Sequence, residues 1–409
     1  MNTSNQRVHS AIRARGAAVA GALAATLLGG CSTQPTTPDR VGPANAPCDD
    51  LTERTVIPAE ERVVPRYASR FTVTYEKGHK RINIVDPWRG AKFDLSFVLV
   101  PCGEELPAVD ADTTVLRFPP RRVVTTSTTQ LPHFIALDLI ERLAGHNRFD
   151  YVSSPEIRAR IDAGALVEVG DGVRLNAEIL IDLQPDLVLA TSIGNPELDV
   201  LGMLRGLAIP FALDSAFIEP TPLGRAEWIK FTALFFDKEA EANRLFDGIE
   251  ARYQELAQLG RSAVKRPTVL VGTPFQGTWH VSGGAAYQAR LIADAGGDYL
   301  WADDPSSGAI PLDFETVYAR GLNADVWIHP YGWSSLGEGL GVDSRMGDFA
   351  AFKSGQVFNN DKRVNNLNGN DYWETGSLRP DLILADLLHI FHPELLPDHE
   401  LLFHRRLPR

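Results

Sequence analysis

The 409-residue chain predicts an α/β protein: two α/β lobes joined by one long helix, preceded by a β-rich N-terminal extension. Three observations carry this. From Arg121 onward, short apolar strands alternate with helical stretches, the pattern of a sheet served by crossover helices. Near the middle, a stretch of about 20 residues carries a single apolar stripe at steps of three and four. A similar phrase then occurs once on each side of that stretch, as a duplicated lobe would leave.

The elements follow in order. Residues 1–30 read as a signal peptide: Arg7, Arg13 and Arg15 precede an apolar run from Ala17 to Leu28 that is too short to span a membrane. Leu28-Gly29-Gly30-Cys31 resembles the lipobox of bacterial lipoproteins. The resemblance implies cleavage before Cys31, acylation there, and a mature protein anchored by lipid on the periplasmic side of a membrane. Ser32 suits outer-membrane sorting and a permease partner suits the inner membrane, and both readings stay open. Residues 31–47, small, polar and proline-rich, form a tether.

Residues 48–120 are the extension. Phe71, Val73 and Tyr75 alternate with polar residues, Glu76 to His79 make a turn, Ile82 and Ile84 continue the alternation, and 93–100 reads as a second strand pair. Residues 121–236 are the first lobe, with strands at Val123–Thr126, Leu187–Ala190 and Ile209–Leu213 and a helix over Leu131–Leu143. Phe231, Leu234 and Phe235 belong to a helix ending near Asp237. Asp237 can cap the linking helix, 237–262, whose stripe is Ala242, Leu245, Ile249, Tyr253 and Leu256, with Gly260 as a stop. Residues 263–409 are the second lobe, with strands at Thr268–Val271, Val326–Ile328 and Val357–Phe358 and a helix over Pro380–Phe391.

Composition is that of a globular protein, 44% hydrophobic and 22% charged. Removing a leader with three arginines and no acids leaves 37 basic and 52 acidic residues, a net charge near −15. No basic run tracks a phosphate backbone, which excludes nucleic acid as a partner class. With Cys31 assigned to lipid, Cys48 and Cys102 remain as an even pair in an oxidising compartment, and a disulfide between them is expected. It would close a loop of about 54 residues and contribute roughly 3–4 kcal/mol through the unfolded state.

The repeated phrase is Glu178-Ile179-Leu180-Ile181-Asp182-Leu183-Gln184-Pro185-Asp186 and Glu315-Thr316-Val317-Tyr318-Ala319-Arg320-Gly321-Leu322-Asn323-Ala324-Asp325. Each opens a short helix with Glu and ends in an Asp before a buried strand. With Gly283-Gly284, Leu291 to Gly297 and Arg379 to Leu387 in the same order, the chain resembles the periplasmic binding proteins of ABC importers for iron–siderophore complexes, haem and cobalamin. The resemblance covers about Arg121 to Leu402. It implies a monomer that captures a metal chelate between its lobes and presents it to an ABC permease and its ATPase, without covalent chemistry and without a resident cofactor. It also implies that Glu178 and Glu315, at the outer tips of the lobes, pair with arginines on the permease. A ferric siderophore is the first choice of ligand, then a corrin, then haem.

Loops after strand ends face the crevice in such a protein. Trp279, Trp301, Tyr331, Trp333, Tyr372 and Trp373 are the candidate ring residues, with Tyr151 from the other lobe. Thr128, Thr129 and Gln130 offer donors before the first helix. His133 and His329 are the axial-ligand candidates for a haem or corrin. His389, His392, His399 and His404 suggest a metallohydrolase as the rival class. However, Pro393 and Pro397 break that helix, and no Glu sits between the first two histidines, so these residues read as structural and no metal site is assigned. No Gly-x-Ser-x-Gly elbow or phosphate loop is present.

Overall fold

A computed structural model of the chain describes residues 57–409 except 111, 173 and 196–199. The leader, Cys31, the tether and Cys48 lie outside the described residues. Cys102 is disulfide-bonded.

The extension is a four-stranded sheet, in order β1 (Phe71–Glu76), β2 (His79–Ile84), β3 (Leu95–Pro101) and β4 (Thr113–Phe118). β1, β2 and β3 pair antiparallel, whereas β4 runs parallel to β3. Residues 93–100 therefore hold one strand and not a pair. Phe97 to Val100 are all buried, as an interior strand requires. Two buried glutamates fasten the extension to the first lobe. Glu227 accepts the N–H groups of Arg66, Tyr67 and Ala68 and pairs with Lys230 at 2.8 Å. Glu219 accepts those of Ser69 and Arg70 and the Trp228 indole. Phe71 packs edge-on against Trp228, ring centres 5.0 Å apart.

In the first lobe β5 (Val123–Thr125), β6 (Leu143–His146), β7 (Val167–Glu168), β8 (Leu187–Ala190) and β9 (Phe211–Leu213) form a parallel sheet of order β7-β6-β5-β8-β9. The order reverses at β5, so a crevice opens beyond its carboxyl end. The lobe's helices are α1 (Leu131–Ala136), α2 (Pro155–Asp162), α3 (Ala177–Leu183), α4 (Val200–Gly206), α5 (Pro222–Ala226) and α6 (Trp228–Ala233). The helix expected to reach Leu143 stops at Ala136. Asp138 adopts φ +56°, the Leu139 N–H turns back to the Phe134 carbonyl at 2.8 Å, and Leu143 already opens β6.

α7 (Glu239–Ser262) follows, 24 residues long, or about 36 Å. Its buried face is Ala242, Phe246, Ile249, Tyr253, Leu256, Ala257 and Gly260. Phe246 takes the place expected for Leu245. Asp237 does not cap the helix. It sits at φ +52° and pairs with Lys80 at 2.7 Å, and Lys238 precedes the first turn without a side-chain cap. Gly260 does not stop the helix either. A Cβ there would lie 2.2 Å from the Asp294 carbonyl oxygen, so glycine is what lets α7 close on the end of α8 (Tyr287–Asp294).

The second lobe contains β10 (Thr268–Val271), β11 (Pro274–Phe275), β12 (Thr278–Ser282), β13 (Asp298–Tyr299), β14 (Ala309–Leu312), β15 (Val326–Ile328), β16 (Val357–Asn359) and β17 (Arg405–Arg406). One sheet has the order β13-β10-β15-β16-β17, parallel except for β17; a small antiparallel sheet has the order β11-β12-β14. α9 (Phe314–Gly321) leads into β15. The helix Pro380–Phe391, opened by a proline whose missing N–H costs nothing at that position, packs along α7.

Candidate ligand-binding cleft

Loops from the two lobes meet at three fastenings. Ser377 donates to the Thr129 carbonyl at 3.1 Å. The Asn365 amide donates to the carbonyls of Asp150 and Val152 at 2.9 and 2.8 Å. Glu374, wholly buried, accepts the N–H groups of Ser153 and Ser154 at 2.6 and 2.9 Å. Burial pushes the Glu374 carboxyl up, while these bonds pull it back.

Beside these fastenings lies a hollow of about 480 Å³, open mouth included, between Thr129, Phe217 and Arg225 of the first lobe and Tyr287, Tyr372 and Trp373 of the second. Arg225 is the cation of its floor. Its guanidinium donates to the carbonyls of Phe217 and Glu219 at 2.8 and 3.2 Å and lies 4.0 Å from the centre of the Tyr287 ring. Among the described residues it has no carboxylate at ion-pairing distance. Burial lowers its pKa, yet a guanidinium stays charged at any physiological pH. Arg89, from the turn after β2, adds a second positive charge in its field while holding Ser307 of the second lobe at 2.7 Å. Tyr372 is buried against Trp373, ring centres 4.8 Å apart, and Trp373 leaves 44% of its surface open.

The expected ring residues divide. Tyr372 and Trp373 line the hollow. Tyr331 is nearly half exposed, follows the carboxyl end of β15 with its ring 5.8 Å from that of His329, and does not line the hollow. Trp279, Trp301 and Trp333 are not in the cleft. Trp279 points into the second lobe, stacks on Trp327 at 5.6 Å and gives its indole N–H to the Val271 carbonyl at 3.0 Å. Trp333 meets the edge of Trp327 at 5.1 Å, and Trp301 is buried beneath Arg320. Each is a core residue, 5% exposed or less. Tyr151 is exposed beneath Arg148 and does not line the hollow; its carbonyl oxygen would lie 2.6 Å from a Cβ placed on Gly369.

Thr129 faces the hollow and Thr128 is partly open, but Gln130 is wholly buried. Its carbonyl oxygen accepts the N–H groups of Thr126 and Ser127, closing a capping box with Ser127, so it shapes the loop and offers nothing to a ligand. His133 is among the residues that line the hollow, but it is 3% exposed, its Nδ1 is bonded to the Thr232 hydroxyl at 2.9 Å, and burial lowers it to about 3. Arg225, Phe217 and Tyr287 were not anticipated. No spacing marks a cation held by backbone carbonyls.

The late histidines are each engaged. His389 meets the Leu396 carbonyl, His392 the Gly296 carbonyl, and His399 and His404 meet Asp386. Among the described residues no cluster of three or more His, Cys, Asp or Glu is set to hold a metal.

Glu178 and Glu315 occupy the same place in their helices, each the second residue after an Asx cap. Asn176 accepts the Glu178 and Ile179 N–H groups, and Asp313 accepts that of Thr316. Both glutamates are exposed. Glu315 meets Arg345 at 3.3 Å, and Arg345 is itself held by Asp343 at 2.7 Å.

Two doubly wound lobes joined by a single helix meet at a mostly apolar, ring-lined hollow that holds one arginine. A family model described as periplasmic binding protein matches residues 123–364, and the chain belongs to that family. The family binds small molecules and works with an ABC permease and its ATPase, and membership points to an extracytoplasmic location. An uncharacterized lipoprotein of Methanocaldococcus jannaschii is 24% identical over 369 residues, 83% of this chain and 85% of that protein. A possible iron-binding periplasmic solute-binding protein from Staphylococcus epidermidis matches with a TM-score of 0.53 at 18% identity, over 66% of this chain and 98% of that one. The periplasmic heme-binding protein of a Roseiflexus species matches at 0.51 and 23%, over 68% and 100%. These two likenesses show the fold. Among the described residues no helix is long and apolar enough to cross a membrane.

Proposed function

We propose that the chain is the solute-binding component of an ABC importer and that its cleft captures an anionic iron chelate of the siderophore type. Arg225 carries this reading. An unpaired guanidinium on a floor ringed by Tyr287, Tyr372 and Trp373 suits a ligand with negative oxygen atoms and broad apolar faces. The chelate passes to the permease unchanged. Glu178 and Glu315 serve as the docking carboxylates, and acylation of Cys31 tethers the protein. The lipobox supports that tether, as does the lipoprotein name of the Methanocaldococcus relative. Cys48 is the partner of Cys102.

The test is a fluorescence titration of the purified protein with ferric dicitrate, a ferric catecholate chelate, haemin and cyanocobalamin. Saturable one-to-one quenching by a ferric chelate is expected. Quenching by cyanocobalamin or haemin alone would move the assignment to that ligand, and no response to any of the four would sink the binding reading.

A further inference from the structure

Arg225 owes its place to one short turn. Its two acceptors, the carbonyls of Phe217 and Glu219, belong to the turn Ala216–Ile218 and the residue after it. The extension grips that turn at both ends. At its start, the buried Ser215 hydroxyl donates to the Pro87 carbonyl at 2.8 Å. At its end, the wholly buried Glu219 carboxylate takes four hydrogen bonds. Oε1 accepts the N–H groups of Ser69 and Arg70, each at 2.8 Å, and the Trp228 indole at 3.1 Å, while Oε2 accepts the Ser69 hydroxyl at 2.9 Å. All but the Trp228 bond come from the extension. The two grips are parts of one piece, because the Val85 N–H bonds the Arg70 carbonyl at 2.8 Å and Asp86 pairs with the Arg70 guanidinium at 3.2 Å. The gripping residues all precede residue 123, where the likeness to the family begins.

What the grip does to charge follows from where Glu219 stands. Its own carbonyl already bonds Arg225, and a Cβ on Gly224, the residue before the arginine, would lie 3.3 Å from Glu219 Oε2. Its charge is felt at the guanidinium, whose pKa burial lowers and this carboxylate raises. A buried carboxylate this near, if free to turn, would pair with the arginine through charge-assisted hydrogen bonds. Arg225 would then have no charge to offer an anion. The donors of Ser69 and Arg70 take the lone pairs first.

We propose that Ser69, Arg70 and Glu219 are positioning residues for Arg225: the extension occupies the Glu219 carboxylate with its own N–H and O–H groups and so keeps the cleft guanidinium unpaired for an anionic ligand. This rests on the reading of the cleft as a ligand site. It deepens that reading by giving the extension a part in the site, the selection of anions.

Ser69→Pro removes two of the three extension bonds to Glu219. Glu219→Gln keeps an acceptor for the N–H groups, donates to the Ser69 hydroxyl and carries no charge. The Nε–H resonance of Arg225, assigned as the one missing from Arg225→Gln, reports the partner of the guanidinium without any ligand. In Ser69→Pro this resonance is expected to shift, and affinity for ferric dicitrate to fall about 10- to 100-fold, the scale of a hydrogen bond to a charged group. Adding Glu219→Gln is expected to reverse both changes. An affinity loss that persists in the double variant overturns the proposal, because the extension would then only stiffen the turn. An unmoved resonance in Ser69→Pro overturns it as well. Should that variant fail to fold, Ser69→Ala, which removes the hydroxyl bond alone, is read in the same way. A smaller shift that Glu219→Gln reverses is expected, and no shift overturns the proposal. If the wild type binds no ferric chelate, the function assigned to the cleft fails, while the resonance and its reversal still decide whether Glu219 is held off Arg225.

Discussion

Arg225 of the first lobe lies with its guanidinium carbon 4.0 Å from the centre of the Tyr287 ring of the second. The contact joins the lobes through the cleft floor. It also fixes the guanidinium in place without neutralising it, because the other partners are two carbonyl oxygens. A charge so held loses little freedom when a ligand arrives, which is how preorganisation raises affinity.

Arg225→Gln should therefore weaken binding of an anionic ferric chelate by about 2–5 kcal/mol, the range for truncating one member of a desolvated charge pair. Calorimetry with an anionic and a neutral ferric chelate checks this. Equal losses for the two would mean that Arg225 only holds the lobes together.

The elements that were legible in the sequence are those whose pattern has one physical cause. The apolar runs of β5, β8, β10 and β15 are buried on both faces by flanking helices, so nothing else competes to explain them. Pro380–Phe391 carries its own start signal. The matching positions of Glu178 and Glu315 show as a repeat because each follows an Asx cap by two residues. The cleft was harder to read, because a tryptophan looks the same in a core and on a cleft wall. Only the placed partners of the Trp279 and Trp327 indoles, the carbonyls of Val271 and Gly272, assign those rings to the interior. Arg225 had no signal at all, since its partners are main-chain atoms.

That division of the tryptophans makes opposite predictions for two of them. Trp373→Ala should weaken chelate binding by roughly 1–3 kcal/mol and leave the melting curve almost unchanged, because 44% of the residue is already exposed. Trp333→Ala should instead lower stability by about 3–5 kcal/mol, leaving a cavity against Trp327 and Gly339. Urea melts and titrations of the two variants check the pair. A binding loss in Trp333→Ala at full stability would return that ring to the cleft.

Asp214 makes stability depend on pH. Its buried carboxyl, facing the Ala216 N–H at 2.9 Å, is pushed by burial from 3.8 up to about 6. A carboxyl raised in the fold is protonated there while the unfolded chain has already lost its proton. Its contribution is therefore whole below about pH 4 and is lost as pH rises through about 6, a fall of roughly 3 kcal/mol. Asp214→Asn keeps an acceptor for Ala216 and carries no charge. The variant should match the wild type in urea melts at pH 4 and exceed it at pH 8 by a margin of that order. The same difference at both pH values would contradict the assignment.

The proposed docking role of Glu178 and Glu315 is testable apart from ligand capture. Each opens a helix that runs back toward the start of the next strand, so both lie toward the carboxyl edges of their sheets, the edges that bound the cleft. A permease meeting the cleft mouth would meet both carboxylates at once, and an arginine there can form paired, charge-assisted hydrogen bonds with each. Glu178 is unpaired among the described residues. Glu315 already faces Arg345, so a permease arginine must share or displace that contact. Truncating a charge that becomes buried in an interface costs about 2–5 kcal/mol, because its partner is left unpaired. Glu178→Ala with Glu315→Ala should therefore abolish chelate uptake in cells. Affinity of the purified protein should stay within about twofold, the range expected for distant sites. Lost affinity in the double variant would put the two carboxylates in the ligand site. Normal uptake would reduce them to helix-start acids that only complement the dipoles of their own helices.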